Sequence, residues 1–520
     1  MTYTAARRAP DPEQAQPPTP VALRLAAISR QQGARFEEAI SLFQQAARLA
    51  PRDPSGWAAL AACLFTARRP EAALEASTMA LELAPHEPAL LCGQAQILRS
   101  LSRVAEASEL YRRALTLRPD LHEAGMGLAM LAIEAGHWDE AASALEALRG
   151  RQGEAPALSW LAARIALGQG DPETARIEVD RALADPRLSP DQRADAMLLR
   201  SAILDALDRA AEAFQAAVDG KAIQRRLHAE RAAGRESETA KLTRLARWFA
   251  VADLRNWSAR LAPGADVASG HVFLVGFPRS GTTLLEQALA GHPDVVALEE
   301  APTLAAAYAE FMTGPEDLER LAKLSPAEAD LWRARYWAEV RAHGARPTGK
   351  LFVDKAPAGT LCLPLVAKLF PDAKILFAVR DPRDVVLSCL RQDFQLNAMT
   401  YAFTSLTETA ACYDACMRLA GIYRQVLPLA WREVRHEAMV EAFDATLADV
   451  AAFLDLTVTP EMADIAAIAN RRSVRTPSAP QVRAGLNRRG LGRWRAYAGQ
   501  LGPVMPALAP WVEHFGYPAS

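Results

Sequence analysis

Residues 272–289 read VFLVGFPRSGTTLLEQAL, and this stretch sets the fold of the second half of the chain. Residues 272–275 form a short apolar run that is typical of a buried strand, and a turn containing Gly, Pro and Ser follows it. From Thr282 onward the pattern is helical. A strand, a tight turn and a helix in this order predict an α/β domain with a parallel sheet, whose ligands bind at the carboxyl ends of the strands.

A second unit of the same kind lies about a hundred residues further on. Residues 374–379 read KILFAV and predict a strand, and residues 380–383 read RDPR and predict the turn after it. The helix begins at Asp384. Two such units in one chain strengthen the prediction of a parallel sheet with crossover helices.

The first turn has the features of a phosphate-binding loop. Residues 276–283 fit the P-loop pattern G-x-x-x-x-G-[KT]-T, except that Thr282 stands where nucleotide-binding loops have Lys. The glycines allow backbone amides to point at an anion, and the helix N-terminus favours negative charge. Arg279 offers a planar cation that grips a sulfate or phosphate at two points. We therefore predict an anion site formed by Arg279, Ser280, Gly281, Thr282 and Thr283.

The first half of the chain is an internal repeat of 34 residues. Alanines recur at this interval in one register at Ala39, Ala73, Ala107, Ala141 and Ala175, and in another at Ala27, Ala61, Ala95, Ala129 and Ala163. Prolines follow at Pro51, Pro85 and Pro119, where they end a helix. The pattern resembles the tetratricopeptide repeat and predicts an α-helical solenoid. A sixth unit, around Ala213, requires four extra residues, which we place at 189–192.

Composition and charge narrow the possible partners and compartments. The 520 residues carry 59 basic and 61 acidic side chains, so no overall field attracts nucleic acid or anionic lipid. The six cysteines include no Cys-x-x-Cys pair, which argues against a disulfide scaffold or a zinc ribbon. No apolar run is long enough for a membrane span. The proline-rich residues 1–20 predict a disordered leader rather than a signal peptide, and we expect a cytoplasmic protein.

Several short motifs resemble the sulfotransferases, and within them the protein-tyrosine sulfotransferase branch. They are PRSGTTL at 278–284, HPDV at 292–295 and the glutamate pair at 299–300. The resemblance implies transfer of a sulfuryl group from 3′-phosphoadenosine 5′-phosphosulfate (PAPS) to a hydroxyl, without a metal. It also implies that residues 279–283 hold the 5′-phosphosulfate of the donor.

Further matches extend the predicted donor site. Residues 379–383, VRDPR, with Ser388 after them, are similar to the family's 3′-phosphate site, which assigns Arg380 and Ser388 to that phosphate. Lys355, within FVDKAP, matches the segment whose lysine contacts the transferring group. Ser478 and Arg493 stand where the tyrosine branch has a donor-binding Ser and a Lys. We predict a leader at 1–20, a repeat array at 21–230, a helix and linker at 231–270 and a sulfotransferase domain at 271–520.

The predicted chemistry needs a base and positive charge. By position we assign the base that takes the acceptor's proton to Glu300, with Glu299 as the second choice, and we expect these adjacent carboxylates to point different ways. Lys355 and Arg279 neutralise the charge that builds up during transfer. His436 stands where the tyrosine branch has a Tyr. The acceptor stays open between a protein tyrosine, a glycan, a lipid and a small molecule.

Two other functions compete with this one. An atypical P-loop nucleotide kinase would use the same loop, with Asp354 as a candidate ligand for magnesium. A non-catalytic adaptor would use only the repeats. In either case the repeat groove predicts binding of a protein or peptide, or self-association into a homodimer.

Overall fold

The structure is a computed structural model that describes residues 19–32, 35–67, 69–101, 103–153, 155–252, 257, 267–472, 482–483, 485–488 and 490–519. The chain divides into two compact units, Met1–Gln169 and Gly170–Ser520. Most of the predicted leader, residues 1–18, lies outside the described residues. Among the described residues, no helix combines the length and the apolar character that crossing a membrane requires. The predicted compartment stays a prediction.

The first unit consists of helices that pack in sequence. Their starting points recur at steps of 34 residues in two series, as the alanine registers predict, and the register residues Ala39, Ala73, Ala107 and Ala141 are fully buried. Most helices of the first series begin with Pro, whose missing N–H costs nothing at that position. The predicted helical solenoid is confirmed. The helices are α1 Pro20–Gln32, α2 Phe36–Leu49, α3 Pro54–Thr66, α4 Pro70–Leu83, α5 Pro88–Ser100, α6 Val104–Leu117, α7 His122–Ala135, α8 Trp138–Gln152 and α9 Pro156–Gly168.

The second unit opens with further helices, α10 Pro172–Ala184, α11 Pro190–Ala206, α12 Ala210–Leu227, α13 Ala229–Ala232 and α14 Glu238–Val251. Helix α11 has 17 residues where α9 has 13, yet it begins 34 residues after α9. The four extra residues therefore lengthen the helix beyond its start at Pro190, rather than preceding it. The predicted helix and linker at 231–270 contains α14, which ends at Val251, because the backbone of Ala252 is extended; residues 253–256 and 258–266 lie outside the described residues.

Five parallel strands form the sheet of the second unit. They are β1 Gly270–Gly276, β2 Val295–Glu299, β3 Leu351–Lys355, β4 Lys374–Val379 and β5 Ala430–Arg435, in the order β2-β3-β1-β4-β5. Alternate residues of β1 belong to two different buried apolar clusters, Val272 and Leu274 to one and Phe273 and Val275 to the other. Both faces are thus covered, as parallel sheets require. The predicted α/β domain with a parallel sheet is confirmed.

Helices lie between and after the strands of this sheet. They are α15 Thr282–Ala290, α16 Ala305–Phe311, α17 Pro315–Ala322, α18 Pro326–Ala342, α19 Leu363–Leu369, α20 Pro382–Arg391, α21 Ala398–Ala402, α22 Leu406–Val426, α23 His436–Glu441, α24 Phe443–Phe453, α25 Ile465–Arg472, α26 Ala498–Leu501 and α27 Met505–His514. Short 3₁₀ turns lie at Pro357–Cys362, Pro460–Ala463, Arg493–Tyr497 and Gly502–Val504. Because all five strands run the same way, their carboxyl ends meet at one edge of the sheet, where the predicted site residues lie.

Candidate active site

The turn between β1 and α15 has the backbone of an anion cradle. Gly281 precedes the helix with φ of 95°, and Arg279 also has a positive φ, 72°, which is unusual for a residue with a side chain. A Cβ atom on Gly281 would lie 2.5 Å from Nδ1 of His436, so only glycine fits there. Ser280, Thr282 and Thr283 are buried. The turn therefore presents the N-terminus of a nine-residue helix at the carboxyl edge of the sheet.

Two arginines lie at this turn, Arg279 within it and half-buried, and Arg380 beside it and buried. Nε of Arg279 donates to Oγ of Ser388 at 2.9 Å, and Nη1 of Arg380 donates to the backbone oxygen of Arg279 at 3.2 Å. Burial, with the charge of Arg380 second, lowers the pKa of Arg279 to about 10. Burial and the neighbouring charge of Arg380 both make the charged form of Arg279 less favourable, and an anion beside the two arginines would offset this. The structure thus brings Arg279 to Arg380 and Ser388, which follow it by 101 and 109 residues in the sequence.

Two buried polar atoms near the turn could receive hydrogen-bond partners from a ligand. Nε of Arg380 and Nδ1 of His436 are buried and have no hydrogen-bond partner among the described residues. Burial, together with the charges of Arg380 and Arg279, lowers the pKa of His436 to about 3, so its ring is neutral. Buried polar groups without partners are rare in folded proteins and cost free energy. Their position beside two cations fits an anionic ligand.

A second cluster surrounds Lys355 at the end of β3. The side chain of Lys355 is fully buried, and its Nζ lies 2.9 Å from Oε1 of Glu300, 3.3 Å from Oε1 of Glu299 and 3.4 Å from Oε2 of Glu286. Burial lowers the pKa of Lys355, but the three carboxylates outweigh it and hold the pKa above its ordinary value. The lysine is therefore charged. The two predicted bases converge on one ammonium, contrary to the expectation that they point different ways.

Glu300 is the more accessible of the two candidate bases. Its side chain is 45% exposed, against 16% for Glu299. Its φ of 49° is unfavourable for a residue with a side chain, and its backbone N–H donates to the carbonyl of Lys355 at 2.7 Å. Strain of this kind concentrates at functional sites. Of the two predicted bases, Glu300 is therefore the one that a molecule at this edge of the sheet can reach more easily, and the choice of base stays a prediction.

Sequence reasoning missed two members of this cluster. Glu286 is buried within α15 between Lys355 and Arg472, whose Nη1 lies 3.3 Å from its Oε1. Burial raises the pKa of Glu286. A glutamate inside a helix usually faces solvent, so the residue alone carries no signal. The available signal is its spacing, because Glu286 lies four residues after Thr282 and therefore on the same helix face as the predicted anion turn.

Asp354, the candidate magnesium ligand of the kinase alternative, belongs to a separate network. Its Oδ2 accepts from Oγ1 of Thr303 at 2.8 Å and from the hydroxyl of Tyr336 at 2.7 Å, and that hydroxyl lies 2.8 Å from Nε2 of His271. Burial raises the pKa of Asp354 to about 6. Adjacent strand residues face opposite sides of a sheet, so Asp354 points away from the cluster around Lys355. Among the described residues, no set of three or more His, Cys, Asp or Glu side chains is arranged to hold a metal.

Two predicted donor residues remain, Ser478 and Arg493. Ser478 lies outside the described residues. Arg493 pairs with Asp205 at 2.8 Å and with Asp208 at 3.3 Å. Its backbone neighbour Trp494 stacks under the guanidinium of Arg383, 3.6 Å from the ring centre. The donor-binding roles of Ser478 and Arg493 stay predictions.

Comparisons with known proteins match the two parts of the chain to two families. Residues 271–460 match the model of the Sulfotransferase family. Tetratricopeptide-repeat models match residues 24–88, 88–121 and 126–193. Among solved structures, a tetratricopeptide repeat protein from Parabacteroides merdae superposes with a TM-score of 0.37 at 16% identity, over 41% of this chain and 81% of that chain.

The relatives whose names state an activity are protein-tyrosine sulfotransferases. The Drosophila melanogaster enzyme is 32% identical over 124 residues, which cover 23% of this chain and 25% of that protein. Protein-tyrosine sulfotransferase 1 of Mus musculus is 30% identical over 154 residues, 27% of this chain and 41% of that protein. An uncharacterized protein of Aquifex aeolicus is 28% identical over 253 residues, 46% of this chain and 32% of that protein. The chain spans between a quarter and two fifths of the length of these curated relatives. This chain therefore carries tetratricopeptide repeats followed by a domain of the sulfotransferase family.

Proposed function

We propose that the protein transfers a sulfuryl group from PAPS to a hydroxyl acceptor. The observation that carries the proposal is the meeting of two groups of residues at one sheet edge. One group is the turn after β1 together with its two arginines, Arg279 and Arg380. The other is the charged cluster of Lys355 and Glu300. The arginine pair suits a donor with two anionic groups. The cluster of Lys355 and Glu300 suits proton removal beside a positive charge.

The residues of the turn fit the donor. Arg279, Ser280, Gly281, Thr282 and Thr283 would hold its 5′-phosphosulfate, and Arg380 with Ser388 would hold its 3′-phosphate. The buried Nε of Arg380 and Nδ1 of His436 lack partners among the described residues and would gain them from such a ligand. Thr282 replaces the lysine of nucleotide loops, so the cation of this site is the arginine pair.

In the proposed reaction Glu300 accepts the proton of the acceptor hydroxyl as the oxygen attacks sulfur. The new bond joins that oxygen to sulfur, and the bond between sulfur and the donor's phosphate oxygen breaks. Lys355 and Arg279 supply fixed positive charge for the oxygen that leaves. Burial of the Lys355 side chain keeps water away from this charge and so strengthens its effect.

The finer proposal is a protein tyrosine as acceptor. It is supported by the named relatives, which are protein-tyrosine sulfotransferases, and by the tetratricopeptide repeats, whose fold commonly binds protein segments. A half-exposed Glu300 is open to the hydroxyl of a large acceptor. The repeats would then hold the acceptor protein or a partner of it.

The test begins with the donor site. We expect calorimetry to show that the full chain binds adenosine 3′,5′-bisphosphate in preference to ADP or ATP with magnesium. Replacing Arg380 by Ala should weaken binding about ten- to a hundredfold, because a buried charge-assisted contact is lost. The matched control is Arg418→Ala, which removes an exposed arginine of α22.

Transfer of labelled sulfate to proteins of a cell extract, and to a tyrosine peptide, then tests the acceptor. Labelled protein that loses its label in Glu300→Gln supports the whole proposal. Preference for ATP with magnesium would overturn it in favour of a nucleotide kinase. Binding of neither nucleotide would favour a non-catalytic adaptor.

A further inference from the structure

The end of helix α11 is tied to two distant segments through one carboxylate. Oδ2 of Asp205 lies 2.9 Å from Nη2 of Arg391, the last residue of α20. Oδ1 of Asp205 lies 2.8 Å from Nη2 of Arg493 and accepts a hydrogen bond from the hydroxyl of Tyr497. Burial raises the pKa of Asp205, but Arg391 and the hydrogen bonds from Tyr497 and Arg493 lower it overall. The carboxylate is therefore charged and shared between two segments.

Side chains of helix α12 form hydrogen bonds with the residues that follow the same end of α20. The fully buried Lys221 donates from Nζ to the backbone oxygen of Gln392 at 2.7 Å, and Nε2 of Gln224 donates to Oδ1 of Asp393 at 3.0 Å. A cation at the last carbonyls of a helix is favourable, because the helix dipole places negative charge there. The hairpin of α11 and α12, residues 190–227, thus fixes the C-terminal end of α20.

The two segments held in this way are those that shape the arginine pair. Helix α20 carries Ser388, the partner of Arg279, and also Asp384. The segment 490–497 lies against it, because Oδ2 and Oδ1 of Asp384 accept from the backbone N–H groups of Gly492 at 2.7 Å and Trp494 at 2.8 Å. The carbonyl of Gly490 accepts from Nη2 of Arg380. Arg380 and Ser388 therefore depend on how these two segments sit together.

We propose that Asp205 is a positioning residue of the donor site, which holds α20 and segment 490–497 in the register that Arg380 and Ser388 require. The inference rests on the proposed function for the identity of the ligand. Without the carboxylate, the guanidinium groups of Arg391 and Arg493 lose their common anchor and repel each other. The helical hairpin before the sheet then becomes part of the support of the donor site, rather than only a neighbour of it.

A second contact of the same hairpin serves as the matched control. Arg225 of α12 forms an ion pair with Glu408 of α22, with Nη1 and Oε2 at 2.9 Å. It also docks the hairpin on the domain, but on a helix that contributes none of the donor residues named above. If Asp205 acts only by docking the hairpin, Asp205→Asn and Glu408→Gln will change ligand binding and hydrogen exchange to the same extent.

The experiment compares these two variants of the full chain. We expect Asp205→Asn to weaken calorimetric binding of adenosine 3′,5′-bisphosphate about tenfold, as loss of a charge-assisted contact does, and Glu408→Gln to leave it unchanged. In the ligand-free protein, hydrogen exchange at the amides of Gly492 and Trp494 should accelerate in Asp205→Asn alone. Tyr497→Phe, which removes one hydroxyl, should act in the same direction with a smaller effect if Asp205→Asn does not fold.

The outcomes separate the two proposals. Unchanged affinity and unchanged exchange in Asp205→Asn, or equal losses in both variants, would overturn the positioning role. If the wild-type chain does not bind the bisphosphate, the proposed function fails, and the exchange of the two amides still decides whether Asp205 positions segment 490–497. Faster exchange and weaker binding in Asp205→Asn alone support the proposal.

Discussion

Replacing Lys355 by methionine tests whether one buried ammonium holds together the three glutamates around it. Methionine has a similar length and volume but no charge, so Glu286, Glu299 and Glu300 would lose their shared cation. The side chains of Lys355 and Glu286 are 0% and 1% exposed. Removing one partner of a buried ion pair costs about 3–5 kcal/mol, and here Glu286 would stay buried with only Arg472 beside it. We expect the free energy of unfolding to fall by that amount, a large share of the total for an ordinary domain.

A double-mutant cycle makes this magnitude specific to the cluster. Glu286→Gln added to the Lys355→Met variant removes a buried charge that has already lost Lys355, so the double variant should be destabilised by less than the sum of the two single variants. The difference is the coupling, about 0.5–3 kcal/mol for residues in contact. Urea unfolding of the wild type, the two single variants and the double variant at neutral pH gives the coupling. Lys323→Met is the control, because Lys323 is 64% exposed and its ion pair is with the nearby, half-exposed Glu319. Its effect should stay within about 0.5 kcal/mol.

Two results would refute the reasoning. One is a Lys355→Met protein within about 1 kcal/mol of the wild type, and the other is strict additivity with Glu286→Gln. The stability result does not depend on the proposed reaction. If that reaction is correct, Lys355→Met should also lower kcat for sulfuryl transfer by about a hundredfold or more, because fixed charge at the transition state is lost.

Two further substitutions probe the neighbouring residues. Because Asp354 has a pKa of about 6 in the fold against 3.8 ordinarily, the folded chain binds more protons between these values, and stability should fall as pH rises, by about 2 kcal/mol between pH 4 and pH 6. Asp354→Asn should flatten that slope in urea unfolding measured across this pH range, and an unchanged slope would contradict the assignment. Gly281→Ala should weaken binding of adenosine 3′,5′-bisphosphate more than about tenfold, since its Cβ would meet His436. Gly344→Ala, at a similar φ of 84° with open space around it, should bind normally.

Much of the fold is predictable because its signals are local. The 34-residue alanine registers mark the helix crossings directly, and strand β4 occupies the six residues that its apolar run predicts. The turn after β1 is likewise marked by its glycines, of which Gly281 has no room for a side chain. Where the local signal is weaker, the prediction is coarser, as for residues 231–270, where a helix is expected without exact bounds and α14 occupies Glu238–Val251.

The site is only partly predictable, since its remaining contacts join residues far apart in the chain. The pairing of Arg493 with Asp205 spans 288 positions, and that of Arg472 with Glu286 spans 186. Neither partner has a motif around it that points to the other. A single sequence shows which side chains carry charge, but the pairing of those charges is decided by tertiary packing.

The backbone of Glu300 explains how two adjacent glutamates reach one lysine. In an extended strand, neighbouring side chains point to opposite faces, so Glu299 and Glu300 should not share a partner. The left-handed φ of Glu300, 49°, turns its carboxylate back to Nζ of Lys355, which Glu299 reaches from the strand itself. A proton taken up by Glu300 would remove one of three negative charges from Lys355 and leave Glu286 and Glu299 to balance it. In the proposed reaction, the strained residue would therefore link proton removal from the acceptor to the charge available for the leaving oxygen.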